Sequence, residues 1–180
     1  MSKRTLGVGA VVVALFVMGV SSGIGSARWL GPDSDAIALT AALAPGKEVP
    51  KPSGAKAGAG GTFTAGLTRK AAGGTLAWRL TFHELTGKAI AAHIHKGKAG
   101  KAGPIAVALC GPCRSGQRGT AKVSARTVVA LLGGLAYVNV HTPKNAAGEI
   151  RGQVRKGGKG VAPPTSTTTT TSTYEPPPYP

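Results

Sequence analysis

Two of the four histidines in this sequence, His93 and His95, stand one residue apart in the stretch AAHIHKGKAGKAGPIAVAL. A third, His141, lies in LAYVNVHTPKNAAGEIRGQV, near the end of the patterned part of the chain. Neutral imidazole nitrogens bind zinc and copper, and three histidines are enough to hold either ion. The pair alone is weak evidence, because histidines so spaced can equally be surface residues or members of a structural polar network.

The alternation of residue types places these histidines on one side of their strands. Successive side chains of a strand point to opposite faces of its sheet. In AHIH, YVNVHT and GEIRGQV, aliphatic residues alternate with polar ones, so the aliphatic set can face a core while the polar set faces away. If the three strands are neighbours in one sheet, their polar residues form a single cluster: His93, His95, Asn139, His141, Glu149 and Arg151.

Three functions are compatible with this polar cluster, and the residues leave all three open. The first is a copper or zinc site formed by His93, His95 and His141, with Glu149 as a fourth ligand or as the group that orients an imidazole. The second is a structural hydrogen-bonded network in which Glu149 pairs with Arg151 or another base. The third is a recognition surface for an acidic glycan or a protein. Arg151 opposes cation binding, and no residue stands out as a water-activating base.

The charge balance indicates which partners the chain attracts. Its 22 lysines and arginines against six acidic residues give a formal net charge of +16. Such a surface attracts polyanions such as cell-wall polymers, anionic lipids and nucleic acid, although an exported protein can also simply be basic. With three Phe, three Tyr and two Trp there is no row of aromatic side chains for base stacking, which argues against nucleic acid. The expected partner is an unidentified protein or an anionic cell-wall polymer.

The two ends of the chain differ in composition from its centre. Residues 1–27 are typical of a signal peptide, with a charged start (SKR), an apolar run from Leu6 to Val20, and small residues (GSA) where a signal peptidase cuts. Retained uncut, this segment would be a membrane anchor and the only predicted contact with a membrane. Residues 28–35 are a spacer, and residues 157–180 form a disordered tail rich in threonine and proline. The protein is therefore expected to be secreted or extracytoplasmic, at the cell wall or on a membrane anchor.

Between these ends, strand-length segments alternate with glycine and proline. The segments are GGTFTAGLTR, GTLAWRLTFHEL, KAIAAHIHK, PIAVALC, LAYVNVHT and GEIRGQV, preceded by a first strand over residues 36–40. Alternation with a period of two and frequent turn residues predict an all-β fold, an antiparallel β-sandwich. One segment, SARTVVALLGG, predicts a short helix with Ser124 as its N-cap and Gly133-Gly134 as its end. The segment from Lys47 to Gly61 is expected to be a surface loop.

The two cysteines, Cys110 and Cys113, lie in the stretch LCGPCRSG. This spacing is compatible with a disulfide, a reactive dithiol or half of a zinc site. A redox pair is typically found at the start of a helix, whereas a polar, glycine-containing stretch follows here. A zinc site would need a second ligand pair, and the chain has no other cysteine. A short-range disulfide is therefore the preferred interpretation.

These motifs together resemble the chordin-type (CHRD) domain. The similarity covers the A-H-I-H stretch, the helical VVALLGG, the Y-V-N-V-H-T and G-E-I-R-G motifs, the opening IALTAALAPGKEVP and the segment GGTLAWRLTFHELTG. It runs from about Ala36 to Val154, and the domain is predicted over residues 36–156. The sequence departs from the family pattern at Lys96 and at His83, which stands beside Glu84 and is expected to be an isolated exposed histidine.

The resemblance implies an immunoglobulin-like or Cu,Zn-superoxide-dismutase-like β-sandwich without established enzymatic activity. Cysteine pairs after the GPIAVAL strand recur in some relatives, which suits a disulfide. The H-x-H pair is similar to the copper-ligand strand of dismutases, but the remaining dismutase ligands have no counterpart, so this likeness is one of fold. We therefore expect a non-enzymatic binding or structural module. The alternative is a copper- or zinc-binding protein, and a dismutase-like or dithiol-redox enzyme ranks third.

Overall fold

The computed structural model describes residues 36–157. The predicted signal peptide, the spacer and the tail beyond residue 157 lie outside the described residues. Within residues 36–157 there is no helix long and apolar enough to cross a membrane. The strands, in chain order, are β1 (Ile37–Leu43), β2 (Gly60–Lys70), β3 (Gly73–His83), β4 (Ala91–Lys96), β5 (Ile105–Cys110), β6 (Gln117–Ser124), β7 (Ala136–His141), β8 (Ile150–Gln153) and β9 (Arg155–Lys156). One helix, α1 (Ala125–Leu132), and a short 3-10 turn, Pro45–Lys47, complete the described part.

The strands form two antiparallel sheets. The first has the order β6-β3-β2-β1-β9 and the second the order β5-β4-β7-β8. The two sheets pack face to face around one apolar core, which confirms the predicted all-β sandwich. Because β4, β7 and β8 are hydrogen-bonded neighbours, the three strands whose polar residues could form one cluster do lie side by side.

The core is built from the aliphatic side of each alternating strand. Phe63, Leu80, Ile94, Val138 and Ile150 have no solvent-exposed surface. Removing each such side chain from water contributes roughly 1.5–3 kcal/mol to folding, before the loss of chain entropy is subtracted. The predicted direction of the alternation in β4, β7 and β8 is therefore confirmed, and the polar residues of these strands point away from the core.

The predicted helix is confirmed, together with the residues predicted to mark its two ends. Ser124 is the N-cap, and its hydroxyl oxygen accepts a hydrogen bond from the backbone N–H of Thr127 at 3.2 Å. The helix ends at Gly133, whose N–H donates to the carbonyl of Val129.

The strand β6 was missing from the sequence-based prediction, which treated the stretch after Cys113 as polar loop. Its sequence, QRGTAKVS, has a single buried aliphatic residue, Val123. It is the edge strand of the first sheet and pairs only with β3 among the described strands. Edge strands carry charged side chains and bury little, so the pattern of an inner strand is absent here. The first strand, expected over residues 36–40, extends to Leu43.

The predicted disulfide is confirmed. Cys110, the last residue of β5, is bonded to Cys113, with their Cα atoms 5.3 Å apart. Both residues are buried, and neither cysteine is free. Their sulfurs therefore form no thiolate pair for zinc in this state.

Candidate functional site

The pairing register of the second sheet brings the polar residues into rows. His93 on β4 is opposite Asn139 on β7, which is in turn opposite Arg151 on β8. In the next row, His95 is opposite Tyr137. His141 lies at the end of β7, opposite Ala91. All these side chains project from the outer face of the sheet, as the alternation predicted.

This outer face is covered by loops rather than exposed to solvent. The side chains of His93, His95 and His141 belong to residues that are only 3, 7 and 3 % exposed. The loop between β4 and β5 contacts His95 through the carbonyl of Gly103, and the loop between β7 and β8 contacts His141 through the carbonyl of Ala146. The predicted polar surface is thus a second buried layer, outside the aliphatic core.

The three histidines converge on one point. One ring nitrogen from each residue can be chosen so that all three atoms lie within 4.8 Å of one another. Nδ1 of His93 is 3.0 Å from Nε2 of His141, and the ring centroids of these two residues are 4.8 Å apart. His95 lies edge-on to His93 with a centroid separation of 5.7 Å. This arrangement brings together the ligand set that the sequence proposed for a metal ion.

Hydrogen bonds to backbone carbonyls determine which nitrogens are available. Nδ1 of His95 is 2.8 Å from the carbonyl oxygen of Gly103, and Nδ1 of His141 is 2.8 Å from that of Ala146. A carbonyl can only accept, so both Nδ1 atoms carry the proton and both Nε2 atoms present a lone pair in the neutral ring. Nδ1 of His93 then donates to Nε2 of His141. Metal-binding histidines are commonly oriented by such a bond from the nitrogen that does not bind the ion.

Burial keeps these rings neutral. It lowers the pKa of His93 to about 3, with a further contribution from the charged forms of His141 and His95. Burial also lowers the pKa values of His95 and His141, and in both cases it outweighs the hydrogen bond to the backbone carbonyl, which acts in the opposite direction. A metal ligand must be the deprotonated imidazole, so all three residues are in the state that binding requires at neutral pH.

The residues present fit a copper or zinc ion bound through three imidazoles. Nε2 of His95 is buried, and the side chain of Asn139 lies beside His95. Zn–N distances of about 2.0–2.1 Å place tetrahedral ligand atoms roughly 3.3 Å apart. The widest nitrogen pair, at up to 4.8 Å, would therefore have to move closer when an ion binds. His93 would also exchange its hydrogen bond to His141 for a bond to the ion.

Arg151, expected to oppose cation binding, has its charge engaged by other groups. Its guanidinium lies 3.3 Å from the centroid of the Tyr137 ring, and that ring is stacked on His95. Nη2 donates to the carbonyls of Lys98 and Lys101 at 3.1 and 2.7 Å, which ties down the loop between β4 and β5. Arg151 still lowers the pKa of His95 through its positive charge.

The carboxylate nearest to Arg151 is that of Glu48, which the sequence-based prediction missed. Oε1 of Glu48 is 4.0 Å from Nη1 of Arg151, and both residues are almost completely buried. Burial raises the pKa of Glu48, against the hydrogen bond from Val49 N–H and the charge of Arg151. Glu48 is one of only six acidic residues and stands within a basic loop. A lone acidic residue in a basic loop was the feature of the sequence that could have identified Glu48.

Glu149 does not join the histidines, contrary to its expected role as a fourth ligand or as the partner of Arg151. Oε1 accepts from the N–H of Thr86 at 2.7 Å, and Oε2 accepts from the hydroxyls of Thr86 and Thr142 and from the amide of Asn145. Burial alone would raise the pKa of Glu149, but these hydrogen bonds outweigh it and lower the pKa. The carboxylate therefore joins the connection between β3 and β4 to the loop between β7 and β8 as a structural anion.

His83 lies at the end of β3 and is exposed, away from the cluster, as expected. Asn139 lies within the cluster, and its Nδ2 is 3.5 Å from the carbonyl of Ala147. The cluster in the structure therefore contains His93, His95, His141, Asn139 and Arg151, together with Tyr137 and Glu48 and without Glu149.

Comparison with known proteins agrees with this architecture. The family model of the CHRD domain matches residues 39–154, which is more than half of the chain and lies inside the predicted range of 36–156. No curated protein and no solved structure matches the sequence. The matched residues include β2 to β8, most of β1, the helix, the disulfide and all three clustered histidines. The chain therefore belongs to the CHRD domain family.

Proposed function

We propose that this CHRD domain is a binding module that holds one copper or zinc ion through His93, His95 and His141. The observation that carries the proposal is the convergence of three buried imidazoles, two of which have Nδ1 bonded to a backbone carbonyl. The bond from Nδ1 to the carbonyl selects the tautomer in which Nε2 carries the lone pair that an ion needs, and in His141 the ion would replace the hydrogen bond from His93. When bound, the ion supplies a Lewis-acidic centre, and the chain supplies its position.

The donor set selects among metal ions. Calcium and magnesium prefer carboxylate and carbonyl oxygens, whereas imidazole suits zinc and copper. The carboxylate of Glu149 is bonded to Thr86, Thr142 and Asn145. That of Glu48 is paired with Arg151, so the three histidines offer nitrogen ligands. A three-histidine set leaves one position for water or an external ligand.

The competing interpretation is that the histidines are only a structural network. His93 bonds His141, and His141 and His95 bond backbone carbonyls, so these contacts alone hold two loops onto the sheet. Both interpretations predict that substitution of a histidine destabilises the fold. They differ in whether added metal stabilises the unsubstituted protein.

The test is a titration of the metal-free full chain with Zn²⁺ and with Cu²⁺ by calorimetry, followed by thermal unfolding. The test variant is His93→Gln/His95→Gln, and the matched control is His83→Gln at an exposed histidine. We expect one ion per chain, a higher Tm, loss of both in the double variant, and weaker binding as the imidazoles become protonated. Electron paramagnetic resonance of the Cu²⁺ form should show nitrogen ligands. If the double variant binds as the unsubstituted chain does, the proposal is wrong.

A second candidate, which does not depend on the metal, is a non-enzymatic binding or structural module at the cell surface or wall. It is favoured by the charge of the described surface. Of the acidic residues within residues 36–157, Glu48 and Glu149 are buried and only Glu84 is exposed. An anionic wall polymer or an acidic protein suits such a surface.

Export itself is proposed from the composition of residues 1–27. The test is the mass of the protein recovered from an expressing culture. A mature N-terminus near residue 28 in the medium or wall fraction indicates cleavage, and a full-length chain in the membrane fraction indicates an anchor. A full-length chain in the soluble intracellular fraction would contradict export.

A further inference from the structure

A groove of about 630 Å³ lies beside the polar cluster and is lined in part by residues of β1, β8 and β9. One wall is the segment around the 3-10 turn, which includes Lys47 and Lys51, and the opposite wall is the tip of the loop between β4 and β5 at Ala99 and Gly100. Its volume lies within the range of about 300–1,000 Å³ that is usual for small-molecule sites. The histidine rings are not among its lining residues.

The rim of this groove carries fixed positive charges. Nζ of Lys47 donates to the carbonyl of Ala42, and Nζ of Lys51 donates to the carbonyl of Gly46, both at 2.6 Å. Ala42 and Gly46 also line the groove, so these bonds hold the two ammonium groups at its edge. An ammonium group has three N–H donors, which leaves two on each lysine for a ligand. Besides Arg151, Arg155 is a third cationic residue of the lining.

The floor of the groove is polar and close to neutral. Arg151 and Glu48 line it as an ion pair with a separation of 4.0 Å. Nη1 of Arg151, Oε2 of Glu48 and Oε1 of Gln153 are buried and form no hydrogen bond within the described part of the chain. Buried polar atoms are nearly always hydrogen-bonded in folded proteins. One donor and two acceptors therefore lie just beneath the floor, with the side chain of Asn139 beside Glu48, and a ligand reaches them only when the side chains that cover them shift.

We propose that this groove binds an acidic oligosaccharide, a short chain of sugar units that carry carboxylate groups. The carboxylates pair with Lys47 and Lys51 at the rim, where charge-assisted hydrogen bonds are available. Sugar hydroxyls, which both donate and accept, match the mixed donors and acceptors beneath the floor once the covering side chains shift. A compact phosphate with several charges is a poorer match, because the carboxylate of Glu48 would repel it there. The general positive charge of the surface draws such polymers towards the protein.

The experiment is a calorimetric titration of the metal-free full chain with trigalacturonate. Maltotriose is the neutral comparison, and inorganic tripolyphosphate is the compact polyanion. The test variant is Lys47→Gln/Lys51→Gln. The matched control is Arg79→Gln/Arg118→Gln, which removes two charges from exposed, paired positions on β3 and β6, at the far end of the first sheet.

We expect one trigalacturonate per chain, no measurable binding of maltotriose, and weaker binding of tripolyphosphate. The Lys47→Gln/Lys51→Gln variant should lose about tenfold in affinity, and the control should change less than about twofold. An equal loss in the control would mean diffuse charge attraction and would overturn the proposal. Tripolyphosphate binding as tightly as trigalacturonate, or no binding of trigalacturonate, would also overturn it. Because the protein is free of metal, neither result depends on the three-histidine site.

Discussion

Lowering the pH from 7.5 to 5 should destabilise the metal-free protein through His93. Burial and the neighbouring histidines lower the pKa of this residue to about 3. In the unfolded chain an imidazole has its ordinary pKa of about 6.5. Between these two values the unfolded chain binds a proton that the folded chain does not. The stability contribution is therefore fully present above pH 6.5 and is lost, as the pH falls, at about 1.4 kcal/mol per pH unit.

At pH 5 this loss amounts to about 2 kcal/mol for His93 alone. His95 and His141 act in the same direction, because their pKa values are also lowered. The raised pKa of Glu48 acts in the opposite direction, because a carboxyl that protonates more readily in the folded state favours folding as the pH falls. The lowered pKa of Glu149 matters only below about 4.5. The difference between variants isolates the His93 contribution from these other groups.

The assay is urea unfolding at pH 7.5, 6.5, 5.5 and 5 in the presence of a chelator, followed by the fluorescence of buried Trp78. The free energy of unfolding of His93→Gln should depend less on pH than that of the unsubstituted protein, by about 2 kcal/mol over this range. His83→Gln, at the exposed histidine, should run parallel to the unsubstituted protein. If the His93→Gln curve is also parallel, the ring is not buried as a neutral group and the reasoning fails.

Three further substitutions test other parts of the fold. Glu149→Gln should lower the free energy of unfolding by roughly 2–4 kcal/mol, because the new amide faces donors from Thr86, Thr142 and Asn145; urea unfolding measures this, and a loss below 0.5 kcal/mol would contradict it. Cys110→Ser/Cys113→Ser should lower the free energy of unfolding by about 2 kcal/mol, a small effect because the disulfide closes a short loop. Loss of the native circular dichroism spectrum would contradict this, because the fold would then depend on the disulfide. Gly103→Ala should displace the loop over His95, because the added carbon collides with the carbonyl of Lys96. The affinity for Zn²⁺ should then fall at least about tenfold, and unchanged affinity would mean that the Gly103 carbonyl does not orient His95.

Local patterns in the sequence predicted much of this fold. The alternation in β4, β7 and β8 identified which residues face the core, because side-chain direction along a strand depends only on position. Ser124 and Gly133 marked the helix ends, because their effects act within one turn. β6 was missed, since an edge strand buries too little to show an aliphatic pattern.

The same alternation predicted only some of the residues in the polar cluster. Glu149 is two residues before Arg151, so the alternation placed both side chains on the same face. The strand β8 begins only at Ile150, however, so the alternation does not extend to Glu149. Thr86, from the connection between β3 and β4, and Thr142 hold its carboxylate away from the histidines. Glu48, in contrast, was not predicted but belongs to the cluster. It lies in a loop without a regular pattern and reaches the cluster through tertiary packing.

The sequence by itself thus determined the family, the sandwich, the core faces, the helix, the disulfide and the three histidines on one side of the sheet. Only the tertiary structure decided that this side is buried and that Glu48 rather than Glu149 lies beside Arg151. Side-chain direction follows from the backbone of one strand, whereas a buried polar layer depends on where distant loops cross the sheet. The loop between β4 and β5 crosses it because Arg151 donates to the carbonyls of Lys98 and Lys101, a contact between segments far apart in the chain.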